Sequence, residues 1–448
     1  MRIIIAGAGK VGFYLAKSLS VFHDVIILDK NTKTINNIKE SLDVLAVDGN
    51  ICNSKVYENF DSSEIDYFIA VTDSDEANIV ASMVIDEKLT VKRKILRLKN
   101  NFYKNNHLSK LDIFKSVYPS IKIAKSMKYL LKYPEANNVK KFNDMDTFLL
   151  SIRAVNVSFL GLSVAEIEER FENRVKIVGI EHKNRFFIPQ ATDKIKSGNL
   201  VYIFGNKADI KENYFFFNRD FKSDFEFKST IIFGASRVGI ELARVLISNS
   251  VRVKIIEKDL NLCNIAQDEL NGDAVVLHSR YGWGHILKEE DLDSADMFIA
   301  ASEDDEFNII KSLEAKQADI FKVIAINNQS EYYQLMHSLG ISTIRGEKID
   351  AFYSILESIN SDVAINQMRY CGGSGIVLYK EIQESSKCIE ERLNIPSKIA
   401  EVAQVYLVSN KSVLKNISTE ICEEGDNIVV FCSYEYDDIV EKWLYKEL

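Results

Sequence analysis

The chain is written twice. Ile3-Ile4-Ile5-Ala6-Gly7-Ala8-Gly9-Lys10-Val11-Gly12 opens one half, and Ile231-Ile232-Phe233-Gly234-Ala235-Ser236-Arg237-Val238-Gly239 opens the other. Gly7 and Gly234 stand 227 residues apart, as do Gly12 and Gly239, and as do Gly198 and Gly425 near the ends of the halves. A spacing shared by both ends of a repeat means a tandem duplication that takes up nearly all 448 residues. Each half must therefore build the same architecture. A nucleotide domain in the first half has a copy of itself beside it, where an enzyme would carry a different, substrate-binding domain.

Within each half, short apolar strands alternate with amphipathic helices. In the first half strands are expected at about 2–6, 25–28, 44–47, 67–71 and 95–98, with helices near 11–19 and 76–86. The second half repeats the strands at about 230–233, 253–256, 274–277, 297–301 and 323–326. This alternation predicts an α/β fold with a Rossmann-like, doubly wound parallel sheet in each half.

After Tyr133-Pro134 the pattern changes to a small α+β module. It holds a strand near 148–154, a capping box from Ser163 to Glu166, a tight turn at His182-Lys183-Asn184 and a strand near 200–204. The last 80 or so residues run similarly. The expected organisation is thus four domains: residues 1–135 and 228–360 as the large modules, 142–222 and 366–448 as the small ones. The polar stretch Phe221-Lys222-Ser223-Asp224 reads as the linker. The run Tyr214-Phe215-Phe216-Phe217 reads as core at a domain junction, and the small modules as packing units.

Composition narrows the functional classes. A net charge of −9 argues against a general nucleic-acid binder, which needs surplus Lys and Arg to neutralise phosphates. No apolar run reaches the 18 residues that a membrane span needs. Met1-Arg2 leads directly into a strand, which leaves no room for a signal peptide. The six cysteines form no C-x-x-C pair, so they read as buried small hydrophobes in a reducing compartment. The histidines are equally scattered. His278 and His285 do not have a metal-ligand spacing, so no metal site is expected.

The chemistry sits at the start. G-x-G-x-x-G alone is a weak signal, but here it follows a strand and opens a helix. Gly7 serves the tight turn, Gly9 the close approach of a pyrophosphate, and Gly12 the packing of helix on strand. The helix N-terminus adds unpaired N–H donors and a positive dipole end. Asp29, 22 residues after Gly7, closes the second strand. A carboxylate there accepts ribose hydroxyls and repels a 2′-phosphate, which favours NAD(H), or an adenine nucleotide such as ATP or ADP, over NADP. Further candidates lie at the carboxyl ends of strands, where open α/β sheets take ligands. These are Asp48, Thr72, Asp73 and Arg97, the last offering a fork of donors to phosphate. Asp73 and Glu76 also scan as a helix cap with an acid in the first turn.

The second copy keeps Gly234 and Gly239 but has Ser236 in place of the middle glycine. Glu257 retains the acid. Asp48-Gly49 aligns roughly with Ser279-Arg280, and Arg97 with Asn327. The stretch from Ser302 to Asn308 echoes that from Thr72 to Asn78. Cap chemistry retained beside ligand chemistry lost predicts one nucleotide site per chain.

The glycine stretch, the repeated acidic helix start and the large-small-large-small order resemble the regulator-of-potassium-conductance (RCK) family. Within it they are most similar to the peripheral NAD-binding subunits of bacterial Trk potassium-uptake systems. The resemblance implies a non-enzymatic regulatory subunit that self-associates into a cytoplasmic ring at the inner face of the plasma membrane. The ring would gate a potassium translocator of the TrkH/TrkG type, with NAD(H) or ATP/ADP as effector. It also implies that Gly7, Ala8, Gly9, Lys10, Val11, Asp29, Thr72, Asp73 and Arg97 line the nucleotide site. Two alternatives remain on sequence alone. One is a regulator of another cation transporter or antiporter. The other is an NAD-dependent oxidoreductase, for which no acid or base of fixed placement is present.

Overall fold

The computed structural model describes all residues except 59, 61–63, 105–110, 143–144, 156, 184, 214–224, 280–294, 361–364 and 448. The Tyr214–Phe217 run, the expected linker at 221–224, Arg280 and His285 therefore lie outside the described residues. The rest forms two compact units, Met1–Ala124 with Arg345–Ile359, and Lys125–Ile344 with Asn360–Leu448.

The first unit is built on a six-stranded sheet. Its strands are β1 (Arg2–Ala6), β2 (Asp24–Asp29), β3 (Leu45–Asp48), β4 (Ile65–Ala70), β5 (Val91–Arg97) and β6 (Lys115–Val117). Their order is β3-β2-β1-β4-β5-β6, with every pair parallel. The strand order reverses beside β1, which is where doubly wound sheets bind ligands. Five strands fall where the apolar pattern put them. The sixth, Lys-Ser-Val, is too short and polar to announce itself. Helices α1 (Lys10–Leu19), α2 (Thr32–Ser41) and α3 (Asp75–Val84) cover the sheet, followed by α4 (Pro119–Leu130). Ser74 caps α3 by accepting from the Ala77 N–H at 3.1 Å. This corrects the reading of Asp73 as the cap.

The second half also contributes to this unit. A later helix spanning Glu347–Asn360 buries Ala351, Ile355 and Ile359 among Ile3, Ile5, Leu15 and Ile27. The spacing of four residues makes one apolar stripe, which must find a core to cover. Lys122 on α4 reaches it through Ser354 at 2.7 Å and Glu357 at 3.3 Å.

The second unit holds three sheets. The strands β7 (Ala136–Lys141), β8 (Thr147–Arg153), β9 (Val175–His182), β10 (Arg185–Phe187) and β11 (Leu200–Asn206) form an antiparallel sheet in the order β10-β9-β11-β8-β7. The small module thus begins at Ala136, ahead of the expected 142. Beside β9 lies α5 (Val164–Arg170), opened by the complete Ser163/Glu166 capping box, and after β11 comes α6 (Lys207–Asn213).

The repeated large module carries β12 (Ser229–Phe233), β13 (Arg252–Glu257), β14 (Val275–His278), β15 (Met297–Ala300), β16 (Lys322–Asn327) and β17 (Ser342–Arg345). Its order, β14-β13-β12-β15-β16-β17, copies the first sheet. Its helices are α7 (Arg237–Ile247), α8 (Leu260–Glu269), α9 (Asp305–Gln317) and α10 (Tyr333–Ser338), and the Glu347–Asn360 helix is α11. The last sheet comprises β18 (Asn366–Tyr370), β19 (Gly375–Glu381), β20 (Ala403–Val408), β21 (Leu414–Lys415) and β22 (Asn427–Ser433). The two antiparallel sheets share one core, in which Tyr202 and Phe204 of the first meet Tyr370, Tyr379 and Phe431 of the second.

One buried charge makes this second unit sensitive to pH. Lys322, the first residue of β16, is buried and donates to the Ala136 carbonyl at 2.6 Å. Burial pushes its ammonium down to about 8, with the Glu135 carboxylate pulling the other way. Between pH 8 and the ordinary lysine value of 10.5 the unfolded chain holds more protons than the folded one, so stability rises with pH across that window. The contribution approaches about 3 kcal/mol above it. Urea unfolding at intervals through the window checks this: Lys322→Met is expected to gain on wild type at the acid end and lose that advantage at the alkaline end.

Candidate nucleotide-binding site

The glycines of the first copy have three separable jobs. Gly7 adopts φ +112°, and a Cβ there would meet the Thr72 N at 2.9 Å. A Cβ on Gly12 would stand 1.8 Å from the Gly7 carbonyl oxygen, so only glycine lets α1 close on the turn. A Cβ on Gly9 would meet nothing within 4 Å. Gly9 is the N-cap of α1 and supplies no side-chain bond, so the first-turn N–H groups face open space.

That space is a cleft of about 480 Å³ at the carboxyl ends of β1, β2, β4 and β5, within the range of roughly 300–1,000 Å³ typical of small-molecule sites. Gly7, Gly9, Lys10, Val11, Asp29, Thr72, Asp73 and Arg97 all line it. Three expected residues stand behind the wall. Ala8 gives its N–H to Asp29 Oδ2 at 2.7 Å. Gly12 packs on Gly7. Asp48, paired in register with Asp29, accepts the Thr32 hydroxyl at 2.5 Å and is not part of the lining.

Sequence reasoning missed Lys30, Asn50, Ile51, Val71, Ser74, Ala77 and Lys348, which complete the lining. The first six sit beside the motif residues and could have been found by extending each strand end. Lys348 could not, because it arrives on α11 from the other half of the chain.

Arg97 is 4% exposed, the most deeply placed cation in the cleft. Its Nη1 lies 3.2 Å from Asp73 and its Nη2 3.6 Å from Glu347 of α11, while its Nε makes no hydrogen bond. Partial burial works against charge on Asp73, yet Lys99 and Arg97 outweigh it and hold the carboxyl below its ordinary range. Asn78 fixes the floor by tying two strand ends together. It accepts from the Thr72 N–H at 3.0 Å and donates to the Arg97 carbonyl at 2.8 Å. Asp75 holds the Lys99 and Asn100 N–H groups at 2.8 and 2.7 Å.

The second copy keeps this scaffold but, among the described residues, furnishes the turn differently. Asn308 repeats the bonds of Asn78, to Ser302 and to the Ile326 carbonyl. Ile326 is therefore the counterpart of Arg97, one residue before the expected Asn327. The register of Glu257 with His278 likewise sets His278, not Ser279, opposite Asp48. At these two strand ends the expected offsets are 231 and 230, and the structure sets them at 230 and 229, one residue shorter in each case. The carboxylate and the guanidinium are both lost. Ser236 caps α7, accepting from the Gly239 N–H at 3.2 Å and donating to the Ala301 carbonyl, so the hydroxyl takes up a helix donor instead of merely crowding a phosphate. Glu257 accepts the N–H groups of Ala235, Lys258 and Asp259 at 2.7–2.9 Å, one more than Asp29 accepts from Ala8 and Asn31. Phe307, in the place of Ala77, packs on Phe233 with ring centres 5.3 Å apart, and the Lys311 ammonium lies over both rings.

Fold and site together define a duplicated Rossmann-like protein with a small antiparallel module after each large one and an open cleft at the first glycine turn. The chain belongs to the TrkA family. The TrkA-N domain matches residues 3–119 and again 230–345, and the TrkA-C domain matches 151–215. A Trk system potassium uptake protein TrkA homolog of Archaeoglobus fulgidus is 26% identical over 447 residues, covering 99% of both chains. The Trk system potassium uptake protein TrkA of Halomonas elongata is 25% identical over 453 residues, covering 96% of this chain and 95% of the relative. Among solved structures, the GsuK RCK domain matches with a TM-score of 0.63 at 16% identity, covering 98% of this chain and 94% of that one. The GsuK channel bound to NAD gives the same score and covers 98% and 78%. At that identity the likeness is one of fold.

No helix among the described residues is long and apolar enough to cross a membrane. Among the same residues, no group of three or more His, Cys, Asp or Glu is placed to hold a metal ion.

Proposed function

We propose that this chain is a nucleotide-sensing regulatory subunit, peripheral at the cytoplasmic face of the membrane, that gates a potassium-uptake translocator of the TrkH/TrkG type. The observation that carries the reading is the contrast between the copies. One glycine turn opens on a cleft with Asp29 at one end and Arg97 at the other, and its twin is filled by Ser236, Phe307 and Lys311. The relatives named as potassium uptake proteins support the transport assignment. The GsuK channel bound to NAD, and the same channel bound to ADP, support the ligand class.

NAD(H) is the favoured ligand. Main-chain N–H groups of the Gly7–Gly12 turn cradle the diphosphate, Asp29 accepts ribose hydroxyls, and Arg97 gives a bidentate grip to phosphate. Glu347 and Lys348 belong to the second repeat, so a ligand at Arg97 touches side chains of both halves. It can then shift an equilibrium of the whole chain, provided that its affinity differs between the two states. Couplings of this kind are worth about 1–3 kcal/mol.

Calorimetric titration of the full chain with NAD, NADH, ATP and ADP tests the reading. One nucleotide per chain is expected, and Asp29→Ala is expected to weaken NAD at least tenfold, about 1.4 kcal/mol. Two equivalent sites per chain would contradict the contrast between the copies. Potassium flux that ignores a nucleotide shown to bind, in a reconstituted translocator, would remove the gating role.

A further inference from the structure

A second cavity, of about 280 Å³, lies in the second unit, far along the chain from the glycine turn. Three segments build it: the β9–β10 hairpin with Glu181 and Phe186, the start of α10 with Glu331, Tyr333 and Gln334, and the turn after β18 with Cys371, Gly372 and Ser374. No lysine, arginine or histidine is among these eight residues, but two carboxylates and two aromatic rings are.

Glu181 is the unusual member. It is 7% exposed, and both of its close partners gather on one oxygen. The Cys371 thiol donates to Oε2 at 3.1 Å, and His337 Nδ1 lies 3.5 Å from the same atom. Among the described residues nothing donates to Oε1, although Glu181 forms part of the cavity wall. Burial opposes its charge, but the His337 and Cys371 contacts and the Arg153 cation prevail and hold the carboxyl below its ordinary range. A carboxylate more than nine-tenths buried, ionised, with one oxygen unused, is costly unless something satisfies it.

The remaining wall narrows what that something is. Phe186 and Tyr333 offer aromatic rings, which attract cations through their quadrupole. Gln334 and Ser374 add neutral acceptors at the mouth, and Glu331 adds a second negative charge there. The volume falls just below the range of about 300–1,000 Å³ for drug-sized ligands, so the occupant is small. Phosphate esters are repelled by both carboxylates. The mixture of rings and carboxylates suits an apolar stem with a charged nitrogen better than a bare metal ion, which prefers a full set of oxygens.

We infer that this cavity is a binding site for a short aliphatic ammonium ion, with the charged nitrogen at Glu181 and the stem between Phe186 and Tyr333. The floor needs an unusual backbone turn. Cys371 (φ +49°), Gly372 (φ +63°) and Gly373 (φ +103°) are all left-handed, and a Cβ on Gly372 would meet the Tyr333 ring at 2.4 Å.

The test is titration of the full chain with 1,4-diaminobutane and with n-butylamine, each against KCl and CaCl2 at matched ionic strength. Saturable binding of at least one amine is expected, weakened at least tenfold in Glu181→Gln. Because Glu181 is buried, Glu331→Gln at the exposed rim serves as the second variant. It is expected to weaken the diamine severalfold more than the monoamine, with an unchanged thermal melt. Absence of saturable amine binding, amine binding untouched by both substitutions, or potassium or calcium binding that displaces the amines at equal charge would each overturn the assignment.

Discussion

Gly9→Ser is expected to abolish nucleotide binding while leaving the protein as stable as before, or more so. The second copy shows what a serine does at this turn. Ser236 accepts from the Gly239 N–H and donates to the Ala301 carbonyl, and so caps α7. In the first copy the corresponding groups belong to Gly12 and Val71. An added Cβ at Gly9 meets no neighbour, so the hydroxyl can adopt the same bonds. Serine is as good an N-cap as any residue and better than glycine by a few tenths of a kcal/mol. The gain in stability uses up a helix donor meant for phosphate, and places side-chain atoms where the diphosphate must approach. Affinity for NAD should fall at least a hundredfold, about 2.7 kcal/mol.

Gly12→Ala is the contrasting case. Its Cβ would lie 1.8 Å from the Gly7 oxygen, and Gly7 cannot retreat. Its own N–H is bonded to the Leu28 carbonyl at 2.8 Å, and the space beside it is so filled by Thr72 that a Cβ on Gly7 would meet the Thr72 N at 2.9 Å. Overpacking costs typically about 1–3 kcal/mol, and a pinned backbone puts this substitution at the upper end. Urea unfolding with calorimetry on both variants separates the roles. A Gly9→Ser protein that binds NAD normally, or a Gly12→Ala protein as stable as wild type, would show the assignments to be wrong.

The same pair indicates what a sequence can disclose. The jobs of Gly7 and Gly12 were legible because each is a local steric demand within one strand-turn-helix, whereas nothing within the protein crowds Gly9. Asp29 was legible because its distance from the turn is set by one helix and one strand. The place of α11 was not. Its apolar stripe of Ala351, Ile355 and Ile359 says that a face is buried, but not against which half of the duplicated chain, since both halves offer nearly the same surface. Lys348 and Glu347 were hidden for that reason. Asp73 was misread as a cap because Ser74 beside it is an equally good one, and only the nearby cations Arg97 and Lys99 decide between them. The second copy was misaligned by one residue at two strand ends, because the offset changes from one strand end to the next: 230 at Asn78 and Asn308, 229 at Arg97 and Ile326. The echo of Thr72–Asn78 in Ser302–Asn308 already set Phe307 opposite Ala77, but only the structure shows that ring packed on Phe233.

Arg97→Met is expected to lower nucleotide affinity by about a hundredfold with a moderate loss of stability. Arg97 closes β5 at the foot of the cleft, and the filled copy has Ile326 in its place, so the scaffold tolerates an apolar residue there. Without ligand, the guanidinium is shared between Asp73, which is largely exposed, and Glu347. The pair with exposed Asp73 is worth no more than about 1 kcal/mol, whereas the pair with Glu347 is enclosed, so losing the guanidinium there costs stability. Phosphate offers much more, a doubly bonded, charge-assisted contact in a partly desolvated cleft, with each such bond worth about 1.5–3 kcal/mol. Arg97→Lys keeps the charge but loses the fork, so it should recover only part of the loss. Removing one phosphate contact should also make binding less sensitive to salt, because fewer screened charges are involved. Calorimetry at two salt concentrations measures both effects. If Arg97→Met binds NAD as tightly as wild type, with the same salt dependence, Arg97 only ties α11 to the first sheet, and the phosphates must be held by the glycine turn alone.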